Sequence, residues 1–289
     1  MKQERARGPT CLDRAGIFLG GLLVCTSFAI YALEDRVRQD RSHPVIAIII
    51  DDLGYRENED YQAINLPGSL TFAVLPHTPH ATSLAKRAHQ NGKEILLHLP
   101  MESNLGHQLG PGGLTTNMPR RQLITELSRD LGAVPHIVGV SNHMGSRLGT
   151  SQRTLSWIMQ FIGTNYGDLY FVDSRTSPDS LIAQIAAANG VPSITRDVFL
   201  DNEPTPSAIK QQFSRLISLA KRRGSALAIG HPHPSTIAVL RHELTRLPHH
   251  GVQLVPASAL LDQAISHHLW MATPSITDIG QQRQKTTTP

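Results

Sequence analysis

Residues 45–50 read Val-Ile-Ala-Ile-Ile-Ile and stop on Asp51-Asp52-Leu53-Gly54. An unbroken apolar run rich in β-branched side chains reads as a strand buried on both faces. Such strands belong to α/β folds, where the chemistry sits at the strands' C-terminal ends. Two adjacent carboxylates there point in opposite directions if the strand continues, and reach one site if the chain turns at Gly54. Two close anions repel, so the pair calls for a metal ion, another cation or a shared proton. The plainer reading is a helix N-cap beside a surface acid.

Further apolar runs at 70–75, 94–98, 137–141, 169–172, 191–195, 226–230 and 252–255 read as strands. Helical stretches fall between them at 82–91, 119–131, 152–162, 179–188 and 207–222, most of them followed by a glycine suited to a helix C-cap. Strands alternating with helices mean βαβ units and a parallel sheet. Seven or eight units in one domain, residues 44–265, imply an α/β fold: a closed or nearly closed β/α barrel. Residues 103–118, rich in Gly, Asn and Thr, read as a long loop on the active-site rim. Residues 266–289 read as a polar tail.

The 289-residue chain carries 27 Lys and Arg against 23 Asp and Glu, scattered without a basic block. That argues against a nucleic-acid partner. Its 15 histidines are many for the length, and imidazole is both the commonest neutral metal ligand and the usual general acid or base. Cys11 and Cys25 lie in the N-terminal segment, so the globular part holds neither a disulfide nor a thiolate zinc site. Residues 1–14 form a basic tail ahead of an uncharged apolar stretch at 15–33, near the minimum length for a membrane helix. The stretch reads as an uncleaved signal anchor, or as a signal peptide cut after Ser27-Phe28-Ala29. Either way, the remainder after the 34–43 linker is exported to the periplasm or another extracytoplasmic space.

The polar residues collect where strands end. Asp51-Asp52 closes the first, His98 to Glu102 the third, and Asn142-His143-Met144-Gly145-Ser146 the fourth. Asp173-Ser174-Arg175 closes the fifth, Arg196-Asp197 the sixth and His231-Pro232-His233 the seventh. In a barrel these ends meet on one rim. Clustered carboxylates and imidazoles without thiolate suit Zn²⁺, or Mn²⁺, Co²⁺ or Ni²⁺.

Asp51-Asp52-Leu53-Gly54-Tyr55, the segment from Glu94 to Glu102, Asn142-His143-Met144-Gly145-Ser146 and Gly230-His231-Pro232-His233 together resemble the divergent polysaccharide deacetylase family, over residues 44–262. The resemblance implies a distorted, incompletely closed β/α barrel of seven or eight strands. It also implies a divalent metal, zinc foremost, and metal-assisted removal of acetyl groups from a cell-envelope polysaccharide or peptidoglycan. It makes Asp51 the catalytic base and His231 the general acid, with His233 as an understudy near the substrate. Asp52 and His98 become metal ligands. The family's second histidine falls on Glu102, so Glu102 or His143 completes the set. Ser146, Asp173 and Arg175 are expected to touch substrate, Asp173 and Arg175 alternatively pairing with each other. The competing expectation is a membrane-tethered glycan-binding pseudoenzyme of the same fold.

Overall fold

The computed structural model describes residues 43–261. The expected membrane segment at 15–33, the linker and the polar tail lie outside the described residues. Within them, no helix is long and apolar enough to cross a membrane.

Eight parallel strands curl into an open barrel: β1 (Val45–Leu53), β2 (Thr71–Val74), β3 (Glu94–Met101), β4 (Ile137–Met144), β5 (Tyr170–Asp173), β6 (Ser193–Thr195), β7 (Val198–Phe199) and β8 (Ser225–Gly230). Their spatial order is β6-β5-β4-β3-β2-β1-β8-β7. β6 and β7 are therefore the two edges of an unclosed seam, bridged in sequence by Arg196 and Asp197 alone. The incompletely closed barrel expected from the sequence is the fold observed. A ninth strand, β9 (Gln253–Leu254), pairs with the start of β1 at Val45 and Ile46.

The helices are α1 (Glu57–Ile64), α2 (Ala81–Gln90), α3 (Arg120–Ala133), α4 (Gln152–Asn165), α5 (Ile182–Ala188), α6 (Pro206–Arg223), α7 (Pro234–Leu244) and the single turn α8 (Leu247–His250). α6 has clear local causes. Thr205 Oγ1 accepts from the Ala208 amide at 3.3 Å, Pro206 sits in the first turn, and Gly224 takes φ 86° at the end.

Strand alternation divides the apolar residues into two shells. Val45, Ala47, Ile49, Leu96, Tyr170, Val172, Leu227 and Ile229 fill the barrel interior. Ile46, Ile48, Ile50, Leu97, Leu99, Val140 and Phe171 face the helices. At the interior's lower end, Glu94 Oε1 accepts from Thr71 Oγ1 and Tyr170 Oη, both at 2.9 Å, and from the Ser258 amide at 3.2 Å. The upper end is where the polar strand ends converge.

Candidate metal centre and active-site cleft

The inner parity of β1 runs Val45, Ala47, Ile49, Asp51, so Asp51 points inward by simple alternation. Asp52 should then point outward. It does not, because β1 carries a bulge: Ile50 pairs with Phe72 and Leu53 with Val74, three residues against two. Ile50 and Leu53 both pack under the helices, and Asp52, at φ 64°, takes up the extra residue. Both carboxylates thus reach one site, through a bulge inside the strand and not through a turn at Gly54. Neither caps a helix: α1 starts at Glu57, and the carboxylate that receives the Gly54 and Arg56 amides is that of Asp60.

His98 continues the inner parity of β3, and Ser141 and His143 that of β4. Register pairs His98 with Ser141. The Ser141 hydroxyl meets His98 Nδ1 at 2.7 Å, leaving Nε2 to face the cluster. That Nε2 lies 3.0 Å from Asp52 Oδ1 and 3.6 Å from Asp51 Oδ2. His143 Nδ1 lies 2.8 Å from the same Asp52 Oδ1. Asn142 fixes the turn that presents His143: Nδ2 donates to the Met144 carbonyl at 2.7 Å, and Oδ1 accepts the Ser174 amide at 2.8 Å.

Asp52, His98 and His143 each offer one ligand atom, all within 4.8 Å of one another. Asp52 Oδ1 is buried yet accepts no aligned hydrogen bond, despite two ring nitrogens close by. One carboxylate and two imidazoles converging on a common point fit a divalent cation. Burial pushes the Asp51 carboxyl up, above the usual carboxylate range. Burial also acts on Asp52, but His143 and His98 outweigh it and hold that carboxyl well below the range.

Across the cleft stands His231, directly after β8. Its Nδ1 lies 3.0 Å from Asp201 Oδ1, its backbone amide donates to Asp201 Oδ2 at 2.7 Å, and Thr236 Oγ1 donates to the same oxygen at 2.8 Å. With Nδ1 committed to a carboxylate, Nε2 faces the cleft, 3.8 Å from Asp52 Oδ2. Burial lowers the affinity of His231 for a proton, but Asp201, Asp52 and Asp51 outweigh it and push its pKa up to about 9. The cleft encloses about 520 Å³ between Asp51, His98, His143, Arg175, Arg196 and His231. A second hollow of about 420 Å³, walled by Tyr55, Arg56 and the Gln108-Leu109-Gly110-Pro111 stretch of the rim loop, shares Asp52 and His143 with it.

Several expected residues lie elsewhere. Glu102 is not brought to the cluster. It follows the end of β3, and four residues of extended chain span about 13 Å, too far for one ion to join it to His98. Its Oε2 instead receives the Thr116 amide at 2.8 Å and hydroxyl at 2.7 Å, anchoring the rim loop. Ser146 Oγ accepts the Asn104 amide at 2.9 Å and pins the same loop. Asp173 sits at the outward parity of β5, and its Oδ1 accepts the Arg175 amide at 2.7 Å. The expected Asp173–Arg175 link is thus to backbone, and the Arg175 side chain lines the cleft. His233 stands at the N-cap position of α7 without a side-chain cap hydrogen bond, its ring 5.8 Å from that of His231.

Asp201 is the residue that sequence reasoning missed. Val198-Phe199-Leu200-Asp201 is an apolar run closing on a carboxylate, the same signal that marks β1, but too short to stand out. In the sequence Arg196 marks only a strand end. It donates to the Ser174 carbonyl at 2.7 Å, lies 5.0 Å over the Phe199 ring, and so braces the open seam beside the cleft.

An unclosed parallel barrel of this kind is the fold of polysaccharide deacetylases of known structure. At 11% identity, the structure of a variant of the peptidoglycan deacetylase PdaC from Bacillus subtilis shares the fold with a TM-score of 0.50, over 86% of this chain and 99% of that one. The chain belongs to the divergent polysaccharide deacetylase family, whose model matches residues 48–261. It is 39% identical to YibQ of Escherichia coli over 75% of its own length and 67% of that protein's. The crystal structure of an uncharacterized protein from Agrobacterium tumefaciens matches at 29% identity with a TM-score of 0.72, over 75% of this chain and 89% of that one.

Proposed function

We propose that this chain is a divalent-metal-dependent hydrolase that removes acetyl groups from a cell-envelope polysaccharide, with zinc as its ion. One observation carries the reading: a cation-ready set, Asp52, His98 and His143, faces an acid–base pair, Asp51 and His231, across a single cleft. An ion held by Asp52, His98 and His143 would polarise the acetyl carbonyl and acidify the attacking water.

The chain's own residues supply the rest. Asp51, buried and with Oδ1 unpartnered, takes the proton of the attacking water. His231 holds a proton on Nε2 through neutral pH and gives it to the leaving nitrogen, while Asp201 fixes the ring. The C–N bond breaks to give acetate and a free amine on the sugar. Arg175 and Arg196, on the far wall, orient the polar substrate. The paired hollows on either side of Asp52 and His143 favour an extended glycan over a single sugar.

The test is acetate release from acetylated chito-oligosaccharides and from peptidoglycan, before and after chelation and zinc reloading. Release that needs the ion is expected. A zinc-loaded protein that binds these glycans without releasing acetate overturns the reading in favour of a glycan-binding role. The proposal also puts the domain outside the cytoplasm, on the strength of the apolar stretch at 15–33. A reporter enzyme that works only after export, fused behind residue 261, should be active; inactivity of that folded fusion rejects export.

A further inference from the structure

A second group of ligand-type side chains lies away from the cleft. α3 places Glu126 and Asp130 four residues apart, hence on one face, one turn from each other. His77, just beyond β2 and at φ 56°, turns its ring onto that face. His77 Nε2 lies 2.9 Å from Asp130 Oδ1, and the three residues offer ligand atoms all within 4.8 Å of one another.

We propose that His77, Glu126 and Asp130 form a second divalent-cation site, structural in role, that clamps α3 to the end of β2 beneath the rim loop. Asp130 makes the case more than its neighbours do. Its side chain is fully buried, and Oδ2 has no partner. A buried carboxylate oxygen left without a donor is costly, and a proton or an ion relieves it; the imidazole and second carboxylate gathered at Asp130 point to the ion. Two ligands about 2.1 Å from one ion stand about 3.0 Å apart at octahedral and about 3.4 Å at tetrahedral angles, so His77 Nε2 and Asp130 Oδ1, hydrogen-bonded to each other at 2.9 Å, need shift little to share one. Two carboxylates and one imidazole balance a charge of +2, and the imidazole selects a transition ion such as Zn²⁺ or Mn²⁺ over Ca²⁺ or Mg²⁺. Glu126 is a quarter exposed and paired to Arg129 at 3.0 Å. Arg129 is itself solvent-exposed, so Glu126 can turn to the ion at little cost.

The site bears on the rim loop. Gly112 lies so close that a Cβ there would stand 2.3 Å from Asp130 Oδ1. The loop backbone therefore rests on the clamped carboxylate, directly after the Gln108-Leu109-Gly110-Pro111 wall of the second hollow.

The experiment is metal counting on the purified full chain, stripped with chelator and reloaded with Zn²⁺ or Mn²⁺. Wild type is expected to hold two equivalents. Asp52→Asn/His98→Ala, which removes the cleft's ligands, should keep one, and chelator should still lower its melting temperature. His77→Ala and Glu126→Gln, both at partly exposed positions and each checked for fold by circular dichroism, should also keep one. The double-cleft variant holding none, or His77→Ala and Glu126→Gln both holding two, overturns the proposal. So does a second equivalent lost on His233→Ala, which places it at the Asp201, His231 and His233 group instead. Failure here leaves the cleft's equivalent untouched, so it is distinct from failure of the deacetylase reading.

Discussion

The two sides of the cleft are built to different degrees of completion. On the β7–β8 side, Asp201 receives three donors and His231 is held at one nitrogen and at its backbone amide. That half is finished by protein alone. On the β1–β3–β4 side, Asp52 Oδ1 and Asp51 Oδ1 are buried without hydrogen bonds, and two imidazoles crowd one oxygen. That half is left open by protein alone. A polar group satisfied within the fold holds a pose and a proton; an unsatisfied one holds a place for a ligand.

The strongest way to break this contrast is Asp52→Asn. The expected outcome is loss of the cleft's metal equivalent, by elemental analysis, and a fall in acetate release of more than about 10⁴-fold, beyond the worth of acid–base catalysis alone. His231→Ala should act differently: metal content unchanged, turnover lower by about 10²–10⁴-fold. Equal metal loss in both variants would dissolve the distinction between the two halves. Ser141→Ala sharpens it from the metal side. Without the 2.7 Å contact, His98 loses its fixed ring pose, and zinc affinity by competition titration should weaken by about 10–100-fold.

The proton side is sharpened by pH. In the metal-free protein His231 should titrate near 9 by NMR, and Asp201→Asn should bring it down towards the ordinary range. A folded-state pKa raised above the unfolded value of about 6.5 contributes stability that is full below that value and gone as pH rises through 9. The metal-free melting temperature should therefore fall between pH 7 and 10, and less so in Asp201→Asn. The smallest effect is expected of Glu102→Gln: metal content unchanged, and about 1 kcal/mol lost from the rim-loop anchor in denaturant unfolding.

Much of the fold is legible in the sequence because strands buried on both faces are apolar throughout. Eight of the nine strands lie within runs legible in the sequence, although β6 and β9 are short and partly polar; β7 is missed because the apolar run that closes on Asp201 is only three residues long. α1 escaped notice because its sequence is mostly charged and polar. α7 lay hidden behind His231-Pro232-His233-Pro234, though Ile237, Leu240 and Leu244 carry helical spacing and are buried. In the candidate site, Asp51, Asp52, His98, His143 and His231 could be named from strand ends, yet their facing could not. A strand apolar on both sides hides which parity is inward, and that parity separates His98 and His143 from Asp173. The bulge at Asp52 is a second hidden device, since it appears only when β1 is paired with β2.

β1 is bonded early in the sequence by β2, and late by β8 and β9. Contacts between such distant parts of a chain form only after a large loss of chain entropy, so they come late in folding. The most apolar strand in the barrel, and the two aspartates at its tip, must therefore wait for the end of the domain to be synthesised. Until then β1 offers an open edge of the kind that pairs with the wrong chain. A nascent chain of this design depends on being shielded, and a fragment ending before Ser225 would carry both aspartates yet never assemble the pocket they serve.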